Sequence, residues 1–300
     1  MRRPLRLMLM MSAASLLATA ASLASVVSSS SERATAKKDH PPVTAMTGAA
    51  CTNCHADILA RRVMHGPAAS GDCAACHIVT SSAGTRRIGL KGNASSRDTA
   101  ALCVACHTDT ADRLKQAHRH APVASGNCSA CHDPHGSAYR FQLPADGNQT
   151  CMKCHEDIAQ ALAQTHVHGP AVNACVICHD AHAAAHPAQL KAAGNDMCVA
   201  CHVDAAADAA ASDPRALFGP ARIDGLDTLI SKAPRILLEG SLTMGHPTRG
   251  HPVDARPDPA EKGRSLRCAS CHNPHGSVGA KLLRFGATGV SSLCIRCHSF

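Results

Sequence analysis

Short alanine-rich stretches alternate along the chain with polar segments carrying histidine, glycine and proline, and strand patterns are essentially absent. Short helices are predicted directly after His55, His107 and His155. Asp57, Asp109, Asp112, Glu156 and Asp157 fall in their first turns, where acids oppose the positive end of the helix dipole, and Arg61, Arg62, Lys115 and Arg119 lie near their ends. Pro67, Pro122 and Pro170 are expected to stop each helix shortly after a histidine. One further amphipathic helix is expected around 226–238, broken by Pro234. The predicted fold class is therefore short α-helices and irregular coil, with little or no β-sheet.

Such a pattern needs something to pack against, and composition says what is missing. The 300 residues contain four Phe, one Tyr and no Trp, and alanine and cysteine make up much of the apolar content. A chain with so little bulk buries too little area to offset the entropy of folding. A non-protein core is expected, and the apo chain is expected to be largely unfolded.

The cysteines identify that core. All 18 fall in nine Cys-x-x-Cys-His strings. Cys51 and Cys54 precede His55, Cys73 and Cys76 precede His77, and Cys103 and Cys106 precede His107. Cys128 and Cys131 precede His132, Cys151 and Cys154 precede His155, and Cys175 and Cys178 precede His179. Cys198 and Cys201 precede His202, Cys268 and Cys271 precede His272, and Cys294 and Cys297 precede His298. The string is the attachment signal for c-type haem. Two thiols at this spacing reach the two vinyl groups on one porphyrin edge, and the histidine is set beneath the iron. A disulfide framework would not demand a histidine after every second cysteine, and zinc sites do not fix one at the adjacent position. Thioredoxin-like motifs come singly, beside a βαβ pattern that is missing here. Nine covalent haem c groups are the expected cofactors.

The strings form an array. Successive attachment sites lie 22 to 30 residues apart, except for 70 between Cys198 and Cys268. Two segment types alternate. One carries a His-x-Pro before the string and often a histidine three positions after it: His120 and His135 around His132, and His168 and His182 around His179. His65 precedes His77 with no such follower, and His251 and His275 flank His272. The other type lacks the flanking loop. The organisation reads as a targeting segment over 1–36, a seven-site region over 37–202, a spacer over 203–245 and a two-site module over 246–300. The long 203–245 connection has a second reading, a docking segment or clamp between the two parts.

Twelve histidines lie outside the strings, enough to give each of nine irons a second imidazole. His65, His120, His168, His251, His135, His182 and His275 lead the candidate ligands. His118 and His166 follow, and His40, His186 and His246 are reserves. Methionine, the other common second ligand, recurs at no fixed offset. The three-residue offset between His132 and His135 spans at most about 10 Å, too short to pass around a porphyrin edge. The later histidine must therefore serve a different iron, which draws neighbouring haems together for electron exchange.

Charge alters little. The formal +8 is largely cancelled if each bis-histidine haem with ionised propionates carries about one negative charge, and no basic run is interleaved with aromatics. Nucleic acid is not an expected partner. Arg2, Arg3 and Arg6 followed by the apolar stretch 7–27 read as an export signal cleaved between about 20 and 36. An uncleaved anchor is the competing reading. A periplasmic, outer-membrane-associated or extracellular location follows.

The strings His-x-Pro, then Cys-x-x-Cys-His-x-Pro-His-Gly-Ser, then Leu-Cys-x-x-Cys-His resemble the doubled-CXXCH multihaem cytochromes of metal-respiring and related bacteria. Residues 268–298 match best and 128–155 next. His77 has no following Pro-His-Gly, and Asp180-Ala181-His182 lacks the Pro and Gly. The resemblance implies chains of bis-histidine haems that conduct electrons between redox proteins, some with an outer-membrane porin as partner. No catalytic residue is expected. An oxidoreductase of the nitrite or hydroxylamine kind would need an open iron position, whereas all nine strings end in His. A cytochrome filament subunit is the remaining alternative.

Overall fold

The computed structural model describes residues 40, 48–82, 85–92, 94, 95, 97–202, 217, 223–236, 253 and 256–299. The expected targeting segment, His246, His251 and most of 203–245 lie outside the described residues. The chain divides into two units, one of 1–42 with 81–87 and one of 43–80 with 88–300. In the described part of the first, His40 donates its backbone N–H to the Arg86 carbonyl at 3.0 Å.

The second unit is a train of helices of four to seven residues joined by turns. The helices expected after the string histidines are present at Thr108–Arg113 and Glu156–Leu162, and Ala56–Ala60 is a 3-10 turn. The prolines act differently from expectation. Pro67, Pro122 and Pro170 start the next helices, Gly66–Ala69, Ala121–Ala124 and Gly169–Asn173. Proline lacks the N–H that a first turn leaves unused, and its fixed φ suits that position.

Sheet is scarce, as expected, but the strands that exist organise the array. They are β1 (Val63–Met64), β2 (His77–Ser82), β3 (Thr85–Leu90), β4 (His118–Arg119), β5 (Gly136–Ser137), β6 (His166–Val167), β7 (Ala183–Ala184) and β8 (Gly276–Ser277). β2 pairs with β3, while the two-residue strands pair antiparallel across the array: β1 with β5, β4 with β7 and β6 with β8. The registers repeat: Val63 opposite Ser137, His118 opposite Ala184, His166 opposite Ser277. Each pairing binds the segment before a His-x-Pro to the loop after a later string. Gly276 permits a close approach, since a Cβ there would collide with the Ala161 carbonyl oxygen. The equivalent residue of the second loop is Ala183, which is buried, and β7 forms nonetheless. The missing Gly in that loop does not change the fold.

The protein interior is thin. The buried apolar residues among those described are Ile177, Ala183, Ala184, Ala192, Ile230, Leu283 and Ala287. Five of the seven are alanine or lie singly in loops, which fits a chain wrapped about something other than itself. The one apolar cluster joins Ile177 to Ile230 of the helix Leu226–Lys232, with Met197, Leu226 and Leu229 against them. That helix ends ahead of Pro234, as expected, and residues 223–236 are packed onto the sixth and seventh attachment segments.

Candidate haem-binding site

His65, His120 and His168 each cap one of the proline-started helices with extended backbone. Their backbone N–H groups donate to the carbonyls of His135, His182 and His275 at 3.1, 2.9 and 3.0 Å. The strand pairs thus fix two histidines of different repeats side by side. His65 and His168 also donate through Nδ1 to the carbonyls of Pro134 and Pro274 at 2.9 and 3.0 Å, and His120 bonds the backbone of Ala181. With the proton held on Nδ1, Nε2 keeps its lone pair for a metal.

The string histidines are oriented in the same way by a second device. Nδ1 of His132, His179 and His272 donates to the carbonyls of Phe141, Ala188 and Lys281, each at 2.7 Å. Those three acceptors have φ of 59°, 56° and 58°. Left-handed backbone at a residue other than glycine costs about 1–2 kcal/mol, and the next residue is left-handed as well in each corner. The chain accepts this cost three times at the same offset, nine residues after the string histidine. The corner exists to aim a carbonyl at the imidazole. For His77 the acceptor is Gly89 at 3.3 Å, and for His202 it is Pro234 at 2.8 Å.

These constraints set pairs of imidazoles opposite one another across gaps, with near-parallel ring planes. His65 opposes His107 with ring centroids 5.9 Å apart, and His77 opposes His135 at 6.0 Å. His120 opposes His155 at 5.9 Å and His132 opposes His182 at 6.0 Å. His168 opposes His202 at 6.1 Å and His179 opposes His275 at 6.2 Å. The ring planes agree within 9° to 20° in all six. Two metal–nitrogen bonds of about 2.0 Å, plus about 1.1 Å from each nitrogen to its ring centre, give about 6.2 Å. The gaps therefore fit one metal ion held between two nitrogens. Among the described residues, no three His, Cys, Asp or Glu side chains converge as a metal site, so the remaining donors must come from the bound group, as porphyrin nitrogens would. His132 and His135, three residues apart, face different imidazoles.

Electrostatics prepares the rings. Burial first, then the facing His155, pushes the His120 imidazole below its usual range, and burial and His202 do the same to His168. Burial lowers His77 and His275 likewise, each helped by its opposed ring; for His182 it outweighs the raising effect of Asp180. A neutral ring is the form that binds metal. Four thiol pairs from successive strings are in mutual hydrogen-bonding contact: Cys51 with Cys73, Cys103 with Cys128, Cys151 with Cys175, and Cys198 with Cys268. Sharing that hydrogen bond holds the Cys128 thiol down at about 6.

A family model described as the doubled CXXCH motif matches residues 65–112, 120–160, 168–207 and 258–300, more than half of the chain. The chain belongs to the doubled-CXXCH family. It is a multihaem c-type cytochrome, and its paired strings imply covalent haem c binding. Each doubled-CXXCH match spans two strings, and the first three begin on the His-x-Pro histidines. The string at 51–55 precedes them all. A comparison with curated proteins finds no match.

Other expected ligands are placed differently. His118 and His166 sit in β4 and β6 at the register position that Val63 holds in β1, and among the described residues neither faces another imidazole. His186 caps the 3-10 turn Pro187–Gln189. The carbonyl corners at Phe141, Ala188 and Lys281 and the Pro234 carbonyl were not foreseen. The constant nine-residue offset was visible in the sequence, but the residues there share no side-chain type.

Proposed function

We propose that the protein is an electron conduit in which nine haem sites, each closed by two imidazoles, stand in single file. The six opposed pairs at 5.9–6.2 Å carry this reading. Haem bound there supplies reversible one-electron chemistry at iron. The chain's own residues set the order of the sites. Numbering the strings one to nine, thiol contacts join sites one and two, three and four, five and six, and seven and eight. Between these, the hydrogen bond from His65 to His135 joins the second ligands of sites three and two. His120 to His182 joins those of sites five and four, and His168 to His275 those of sites seven and six. The two junction types alternate, so every site from one to eight has a neighbour on either hand or ends the run.

The same repeat assigns the second ligand of the ninth site. His65, His120 and His168 serve the later string of their doublets, and His251 holds the corresponding place before His298. His118 and His166 are left as non-ligands. Donor and acceptor are redox proteins outside the cytoplasm, with an outer-membrane porin as the partner through which such a conduit would cross. A second imidazole opposite the string histidine, as in the six described pairs, leaves no open iron position there and speaks for a conduit over an enzyme.

The test is the holoprotein matured in a cytochrome-producing host. Pyridine haemochrome analysis should count nine haems per chain, and the ferric spectrum should be low-spin throughout. A substantial high-spin fraction with turnover of nitrite or hydroxylamine would overturn the conduit reading.

A further inference from the structure

The three His-x-x-His loops are copies in geometry but not in charge. Asp133 turns one carboxylate oxygen toward Nδ1 of His135 at 3.5 Å and the other toward Arg61 at 3.4 Å. Asp180 does the same with His182 at 3.8 Å and Arg113 at 3.5 Å. In the third loop the acid is Asn273, and Ala161 takes the place of the arginine, six residues after a string histidine. The backbone role survives the exchange. Asn273 Oδ1 accepts the His275 N–H at 3.0 Å, as Asp133 and Asp180 accept those of His135 and His182 at 3.0 and 2.9 Å. Both halves of an ion pair have gone while the turn they shared is kept.

We propose that this exchange sets site six, whose second ligand is His275, at a higher reduction potential than sites two and four, so that an electron in transit rests there. The inference depends on the two-imidazole reading above. A carboxylate behind an axial imidazole favours the oxidised, more positive state, and its arginine sits on the far oxygen, so the charge is only partly cancelled. An amide offers the imidazole no such charge. Asp133 and Asp180 are positioning residues that act through His135 and His182; Asn273 marks where that action is withdrawn.

Potentiometric titration of the full-length holoprotein, followed by haem-resolved NMR, tests this. Asn273→Asp should lower the potential of one of the nine one-electron components. The expected size is roughly a tenfold change in its oxidised-to-reduced ratio at fixed potential, about 59 mV. Adding Ala161→Arg should return part of that shift, and Asp180→Asn should raise a different component. Asn273→Ser, which keeps a turn acceptor without charge, should leave the titration in place. Superimposable curves for Asn273→Asp and the parent, both fully low-spin, would overturn the inference and leave the conduit intact; so would an equal shift in Asn273→Ser. High-spin signals in the parent would instead remove the two-imidazole reading itself.

Discussion

Replacing His182 by alanine separates ligand from bystander within a single strand pair. His182 and His118 are neighbours there: His120 donates to the His182 carbonyl, and His118 lies opposite Ala184. Only His182 faces another imidazole, His132, at 6.0 Å. The substitution removes one of the two rings and opens a gap that a methyl group cannot fill. The backbone bonds of the loop remain, because Asp180 Oδ1 also accepts the main-chain N–H groups of His182 and Ala183, which the substitution keeps. The fold should survive and one iron in nine, about 11%, should become high-spin. Resting ferric EPR and the near-infrared and 630 nm regions of the optical spectrum read that fraction directly. Added imidazole should reverse it. His118→Ala, made in parallel, should leave the spectrum unchanged. High-spin signal from His118→Ala, or none from His182→Ala, would refute the assignment of axial positions.

Three further outcomes are expected. Ile230→Ala empties half of the Ile177–Ile230 cluster and should cost about 2 kcal/mol, the low end for a core aliphatic because most of the surrounding side chains are only partly buried; faster limited proteolysis within 203–245 would report it. Burial pushes the Asp258 carboxyl up, but the Ser270 hydroxyl, the Ala260 and Glu261 N–H groups and Arg284 outweigh it and hold it below the ordinary value. Its stabilising effect is therefore present above the unfolded carboxylate pKa and lost as pH falls through the folded one; Asp258→Asn should flatten the acid limb of the denaturation profile of 256–299. Ala188→Gly should stabilise by about 0.5–1 kcal/mol in denaturant melts, because the relief of left-handed strain exceeds glycine's extra entropy in the unfolded chain.

The chemistry of this protein was legible in its sequence because thioether attachment demands a fixed local spacing. The nine strings, the His-x-Pro signals and the argument that His132 and His135 serve different irons all rest on covalent reach over a few residues. The partners of those histidines were not legible. His179 faces His275 across the whole 203–245 stretch, and nothing local in either residue says so. The pairing depends on two-residue strands such as β6 and β8, too short to show an alternating pattern. The place of His118 and His166 was hidden for the same reason. Their even spacing from the opposed histidines follows the strand register, in which Val63 holds the equivalent position.

The backward reach of each loop gives the array an assembly order. A string such as that at 128–132 is synthesised well before His182, which completes its surroundings, and the string at 175–179 must wait for His275. Each of the first three doublets is thus finished by its successor, in the manner of roof tiles. A chain cut cleanly between two repeats would still leave a half-coordinated, reactive iron at its end, so the unit that can be gained or lost without harm is offset by one from the unit that repeats in the sequence.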